Sequence, residues 1–443
     1  MSDRPRRPAA MNPAPTTGPA DVGPAGDPAT LEALAGLVSD RPLDRLAAMV
    51  AAHLDAPRAR VHTVQVDTHP YDLPAITTAG RFRVSGTAHA ESGEPVRYSF
   101  FVKVVQSYTR SPLSQQLPAA LRDRVAPLVP WRTEPDLYRT DLADRLPDGL
   151  TVPRAYGVYD LDEDSAAIWL EMLPTQDITW RLPQHRRAAY LLGRLAANPA
   201  VAPLAAAVPV VRTARNFVRW WLEYTVIPNL YDDRLWQRPP VAGTFDGRLR
   251  TRMIAAVGAL PELLDELESL PTATAHGDAC TRNLLIREPD GRLALIDFGF
   301  WGTAPVGFDL GQLLLGEIQL GQRPAGLLPR LENECLRAYV RGLRDEGSTV
   351  SHTQVRRAHA LLLTIHHAIP AIPFEHLTTE PSRALHRLFE NRAQTTRFIL
   401  DLLDATGPAA APENHRAAHD ATRPGARCSL HSPHEAGYTG GEL

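Results

Sequence analysis

The chain of 443 residues contains a single lysine among its 47 basic side chains and only three cysteines, and its most apolar run, Val201 to Val211, is short and broken by prolines. Each scarcity removes a class of reading. Cys280, Cys335 and Cys428 are widely spaced with no Cys-x-x-Cys, which fits neither a disulfide framework nor a zinc site and points to a reducing, cytoplasmic location. The N-terminal MSDRPRRPAA has no apolar stretch behind its charges, so neither secretion nor a membrane span is expected. Basic residues (47) nearly balance acidic ones (50), leaving no global field to hold nucleic acid or an anionic membrane. Where this chain uses a cation, it uses arginine; Lys103 is the exception.

What is present is ordinary globular material, 44% hydrophobic and 22% charged. The length exceeds the about 250 to 300 residues at which one core stops growing, so two lobes are expected. Seven prolines in the first 28 residues mark a disordered tail over 1–29, and similar composition marks another over 407–443. Apolar spacing of three to four predicts helix over 30–54. From about 59 to 106 the period changes: VHTVQV, RFRVSGTAHA and VRYSFFVKVV predict an antiparallel sheet, with a turn at Ser92-Gly93. A helix over 134–146 and strands near 155–159 and 166–172 follow. Beyond Pro174 the pattern is mainly helical, notably over 183–197, 213–225, 247–270, 325–345, 352–369 and 383–404. The expected class is α+β, with a β-rich lobe over 30–172 and an α-rich lobe over 173–406.

One stretch interrupts the helical half, AHGDACTRNLLIREPDGRLALIDFG from Ala275 to Gly299. Two short strands, 284–287 and 293–296, flank Pro289-Asp290-Gly291, a hairpin signal. A hairpin symmetric about 290 sets Asn283 opposite Asp297, with Asp278 on the loop just before. Two carboxylates and an amide oxygen are hard ligands that suit magnesium rather than zinc. A single Asp or Asn at a strand end is usually a cap; three in this order, followed by Phe-Gly, are harder to explain that way.

These residues, His276-Gly277-Asp278, Asn283 and Ile296-Asp297-Phe298-Gly299, resemble the motifs of the aminoglycoside phosphotransferase and choline kinase group, relatives of protein kinases. The resemblance implies a protein-kinase-like two-lobed fold that uses ATP and Mg2+. It makes Asp278 the base that takes a substrate hydroxyl proton and Asn283 and Asp297 the metal ligands on the ATP phosphates. It makes Asp309 a brace of the catalytic loop, with His276 packing and hydrogen-bonding that loop rather than acting as base. Lys103, on a strand of the β-rich half, matches the lysine that holds the phosphates, and Glu134 its ion-pair partner, with Asp136 as competitor. Glu171 and Met172 fall on the hinge that meets the adenine. The nucleotide loop departs from the pattern: Val84-Ser85-Gly86-Thr87-Ala88 has one glycine, Gly86, where G-x-G-x-x-G has three.

Only eleven residues separate Asp297 from Asp309, too few for a protein-docking segment, so a small hydroxylated acceptor is expected: an aminoglycoside-like antibiotic, amino alcohol or sugar. The aromatic stretch 216–236 with Glu223, Asp232 and Asp233 is read as pocket lining, or alternatively as core through Trp220, Trp221 and Tyr224. The competing class is a catalytically silent kinase-fold protein that binds nucleotide or serves as a scaffold.

Overall fold

The computed structural model describes residues 27–70, 76–90, 93–176, 178–209 and 213–407. The two expected tails, with Cys428, lie outside these residues except at 27–29 and 407, and so does Ser92 of the expected turn. The first helix already begins at Pro28.

The stretch 30–54 forms two helices, α1 (Pro28–Ala35) and α2 (Pro42–Leu54), rather than one. Pro42 opens α2, and Arg41 before it adopts a left-handed φ of 45° that no helix continues through. The sheet runs in the order β1 (Arg60–Thr68), β2 (Thr78–His89), β3 (Pro95–Gln106), β6 (Ser165–Glu171), β5 (Ala155–Asp162), all neighbours antiparallel. Alternation assigns the two faces of β3. Tyr98, Phe100, Val102 and Val104 join a core beneath α1 and α2, while Phe101 and Lys103 turn to the opposite face and line a cavity. Trp169 of β6 seals the helical side and donates its indole N–H to Leu37 O at 2.8 Å.

The helix expected over 134–146 is split into α3 (Thr133–Tyr138) and Leu142–Arg145. The Thr140 hydroxyl donates to Leu137 O at 2.7 Å, bonding the carbonyl a continuing helix would use. Strand β4 (Leu150–Thr151), absent from the sequence reading, pairs parallel with β9 (Leu293–Leu295), which pairs antiparallel with β8 (Leu284–Ile286). A second small sheet joins β7 (Thr272–Ala275) to β10 (Gly302–Pro305).

The remainder is mainly helical, and the described residues form an α+β fold in which a β-rich half precedes a helical one. Helices α4 (Leu182–Ala197), α6 (Leu328–Asp345) and α7 (Arg383–Thr406) fall where apolar spacing predicts them, whereas α5 (Phe308–Gln319) lies in a stretch for which no helix is expected. The expected helix over 247–270 breaks at Ala259, and 218–226 widens into a π-helix. Arginine's fork is used structurally here: Arg357 grips both carboxylate oxygens of Glu266 at 2.7 and 2.6 Å and also reaches Leu403 O, joining three helices. Among the described residues no helix is long and apolar enough to cross a membrane.

Candidate active site

Lys103 is aimed from β3 into a cavity of about 340 Å³ between the sheet and the β8–β9 hairpin. Its ammonium donates to Glu134 Oε2 at 2.5 Å and to Asp297 Oδ1 at 2.9 Å, with the lysine side chain only 6% exposed. Burial alone would lower the lysine's pKa, but the two carboxylates outweigh it and hold the group above its usual value, so it stays charged. Glu134 is almost fully buried and burial pushes it up against the pull of Lys103; Asp297, drawn by the same ammonium, is held below the carboxylate range despite its own desolvation. The Asp297 side chain remains 34% exposed and so opens onto the cavity. Asp136, the competitor for the lysine, pairs with Arg139 at 2.7 Å instead.

The hairpin register differs from the symmetric expectation by one residue. Leu284 pairs with Leu295 and Ile286 with Leu293, so Asn283 stands level with Ile296, whose N–H donates to Asn283 O at 3.1 Å. The cause is the loop: Arg287 N–H donates to Arg292 O at 2.9 Å, enclosing four residues, 288–291, and centring the hairpin between 289 and 290. Asp297 lies one step beyond the last pair and has a left-handed φ of 64°, turning it off the strand line toward Lys103. Asn283 and Asp297 nevertheless border the same cavity. The Asn283 amide nitrogen donates to Asp278 O at 2.9 Å and to Asp278 Oδ2 at 3.1 Å, so its carbonyl oxygen is the atom left for another partner. Among the described residues no three His, Cys, Asp or Glu side chains form a metal cage. An exposed carboxylate and an amide oxygen at one cleft match magnesium, which takes one or two protein ligands and completes its shell with phosphate and water.

Asp278 is half-buried on the loop after β7. That loop is braced from behind: buried Asp309 accepts the backbone N–H of His276 at 2.8 Å and of Gly277 at 2.9 Å. Burial pushes Asp309 up to about 6 in spite of these two bonds. Gly277 has a φ of 86°, and a Cβ there would lie 1.9 Å from Phe300 O, so the loop needs glycine at this position. His276 is fully buried beside the Phe298 ring, its pKa pulled down to about 4 by burial, and its Nδ1 accepts the Asp278 N–H at 3.3 Å. A neutral imidazole that holds the loop is what its surroundings favour. Burial raises the Cys280 thiol to about 11, which disfavours its thiolate.

Glu171 and Met172 border the cavity, together with Phe101, Leu170, Leu285 and Ile296. Gly86 does not, and it is not in a loop: it lies inside β2, paired with Val64 and Tyr98, where a Cβ would stand 1.9 Å from Thr63 O. Its role is close strand packing, and the expected loop at 84–88 is corrected to strand. Glu223 is exposed on the π-helix, Asp232 caps the helix Asp233–Gln237 and pairs with Arg234 at 3.0 Å, and Asp233 pairs with Arg250; none borders the cavity. Trp221 and Tyr224 are 37% and 47% exposed, so they do not form core, and the Trp220 side chain lies outside the description. Arg81, Arg282 and Tyr138 line the cavity without having been singled out in the sequence. Alternation on β2 was the available signal for Arg81, but only the strand register reveals its neighbour.

Residues 137–344 match the model of the Phosphotransferase enzyme family. No curated protein matches the chain. Solved structures similar to it include an amicoumacin kinase in complex with AMP-PNP, Ca2+ and Ami, at 14% identity and TM-score 0.43 over 86% of this chain and 94% of that one. An aminoglycoside phosphotransferase from Alicyclobacillus acidocaldarius gives 14% identity and TM-score 0.45 over 77% and 98%. A choline kinase from Cryptosporidium parvum gives 14% and 0.40 over 78% and 92%.

Proposed function

We propose that this chain, whose residues 137–344 match the phosphotransferase enzyme family, is an ATP-dependent O-phosphotransferase acting on a hydroxyl of a small molecule. The observation that carries the reading is the Lys103–Glu134–Asp297 triad, a buried lysine charged by two carboxylates from different parts of the chain. Such an arrangement is costly to bury and has no packing purpose that an apolar trio would not serve as well.

On this reading the nucleotide lies between the lobe 30–172 and the lobe 173–406, its base against Glu171 and Met172 and its phosphates beside Lys103. Glu134 keeps the ammonium extended toward them. Asn283 and Asp297 would hold Mg2+, which neutralises charge on the transferred group. Asp278 Oδ accepts the proton of the acceptor hydroxyl; the new bond joins that oxygen to the γ-phosphorus, the bond to the β-γ bridging oxygen breaks, and ADP leaves. Asn283 fixes the carboxylate rotamer by its 3.1 Å bond, and Asp309 fixes the loop. Acceptors of the expected kind are aminoglycoside-like antibiotics, amino alcohols and sugars, in the cytoplasm.

The silent-scaffold reading fits less well, because the lysine, both carboxylates, Asn283 and Asp278 are together and intact. A screen for ADP release by purified protein with Mg2+ and ATP, against panels of those three acceptor classes, tests the proposal. Acceptor-dependent ADP release supports it; nucleotide binding with no acceptor-dependent release across the panels favours the scaffold.

A further inference from the structure

We propose that Arg81 is a second phosphate-gripping cation of the cleft, set beside Lys103 by strand register. The inference rests on the nucleotide reading of that cleft and adds a residue to it. Arg81 and Lys103 are direct partners across the β2–β3 ladder. Residues opposite one another in an antiparallel pair share a face, with Cβ atoms about 5 Å apart. Both side chains border the same cavity. The Arg81 backbone is anchored, since His69 N–H, just past the end of β1, donates to Arg81 O at 2.8 Å.

Charge supplies the reason. The Lys103 ammonium is already matched by two carboxylates, so that triad is net negative and would repel a polyphosphate. The cavity lining holds the carboxylates of Glu134, Glu171 and Asp297 against Lys103, Arg81 and Arg282. Remove the arginines and the lining carries two uncompensated negative charges. A guanidinium fork suits two phosphate oxygens at once. Gly86, buried in strand packing, offers no glycine turn at 84–88 to make that contact.

Equilibrium binding of ATP, ADP and adenosine, with Mg2+ and without acceptor, reads this directly. Arg81→Ala and Arg81→Gln should each weaken ATP and ADP about tenfold or more, the scale of a charge-assisted hydrogen bond, and leave adenosine unchanged. Adenosine binding doubles as the check on folding. Arg83→Ala is the control: Arg83 lies two residues along β2, donates to Ser99 Oγ at 3.1 Å and does not border the cavity, so it should bind all three ligands normally. Unchanged ATP affinity in both Arg81 variants, or equal losses for adenosine and ATP, would overturn the proposal. Failure of the unaltered chain to bind ATP would overturn the nucleotide reading as well, and is recognised because it needs no variant.

Discussion

At the scale of single residues, the scarcity of lysine turned out to be informative. In a chain that otherwise uses arginine, Lys103 occupies a buried position where two close carboxylate oxygens suit a compact ammonium and a planar fork would collide or splay. Lys103→Arg should therefore lower turnover at least about tenfold while charge is conserved, read by steady-state ATP kinetics with the melting temperature as the check on folding; unchanged kinetics would return Lys103 to the status of an ordinary strand cation. Composition and strand pattern were enough to single out this residue, whereas its partner Glu134 came from the family resemblance with Asp136 left open, and only the ion pairs decide between them. Tyr138 was not legible, because its importance comes from lining the cavity while its ring meets Phe298 at 5.7 Å, a contact between segments 160 residues apart. Arg81 was hidden for the same reason: one arginine among many is not conspicuous until the ladder sets it opposite the lysine.

At the scale of elements, the β8–β9 hairpin was legible as a hairpin but not in register. Pro-Asp-Gly marks a turn, yet the turn's bonding pattern, not its composition, decides where the strands are centred. The consequence for the site is that Asn283 and Asp297 are brought to one cleft by the left-handed backbone at Asp297 rather than by facing each other across the ladder. On the proposed reading both residues hold one magnesium ion, and that reading makes a prediction about their variants. Asp297→Ala removes a charged ligand and a Lys103 partner, Asn283→Ala a neutral ligand and the clamp on Asp278, so the aspartate variant should be the more damaging. The double variant should cost less than the two singles combined, because the groups serve one ion. Magnesium titrations of ATP turnover in the three variants check this, full additivity being the contrary result. The split of the expected 134–146 helix has a comparable origin, a local side-chain bond from Thr140 that periodicity does not register.

For the whole molecule, the order of a β-rich half followed by a helical half was readable because the two hydrophobic periods differ, and the lobes follow from it. The small parallel pair of β4 with β9 was not, since two residues carry no period. Burial also gives the fold a pH signature. His276 and His359 are each pulled down to about 4 by burial, and His367 lies well below its ordinary value. Unfolded histidines take up protons near 6.5 and these folded ones do not, so stability should be full above that pH and fall as pH drops from about 6.5 toward 4, by up to about 3 kcal/mol for His276 or His359 alone. Buried Asp309, pushed up to about 6, acts in the opposite sense over the same window, so the test is the variant: denaturant titrations at neutral pH and at about pH 5 should show a flatter slope for His359→Gln than for the unaltered chain, and an unchanged slope would mean that His359 is not held neutral. The central claim, that the chain moves a phosphoryl group with Asp278 as base, is tested most directly by following γ-labelled phosphate from ATP into an acceptor found by the panel screen, in the unaltered chain and in Asp278→Asn at matched nucleotide occupancy. The account predicts a labelled phosphomonoester from the former and a rate lower by about 10² to 10⁴ from the latter, with ATP affinity little changed. Equal label transfer by the two proteins would contradict it.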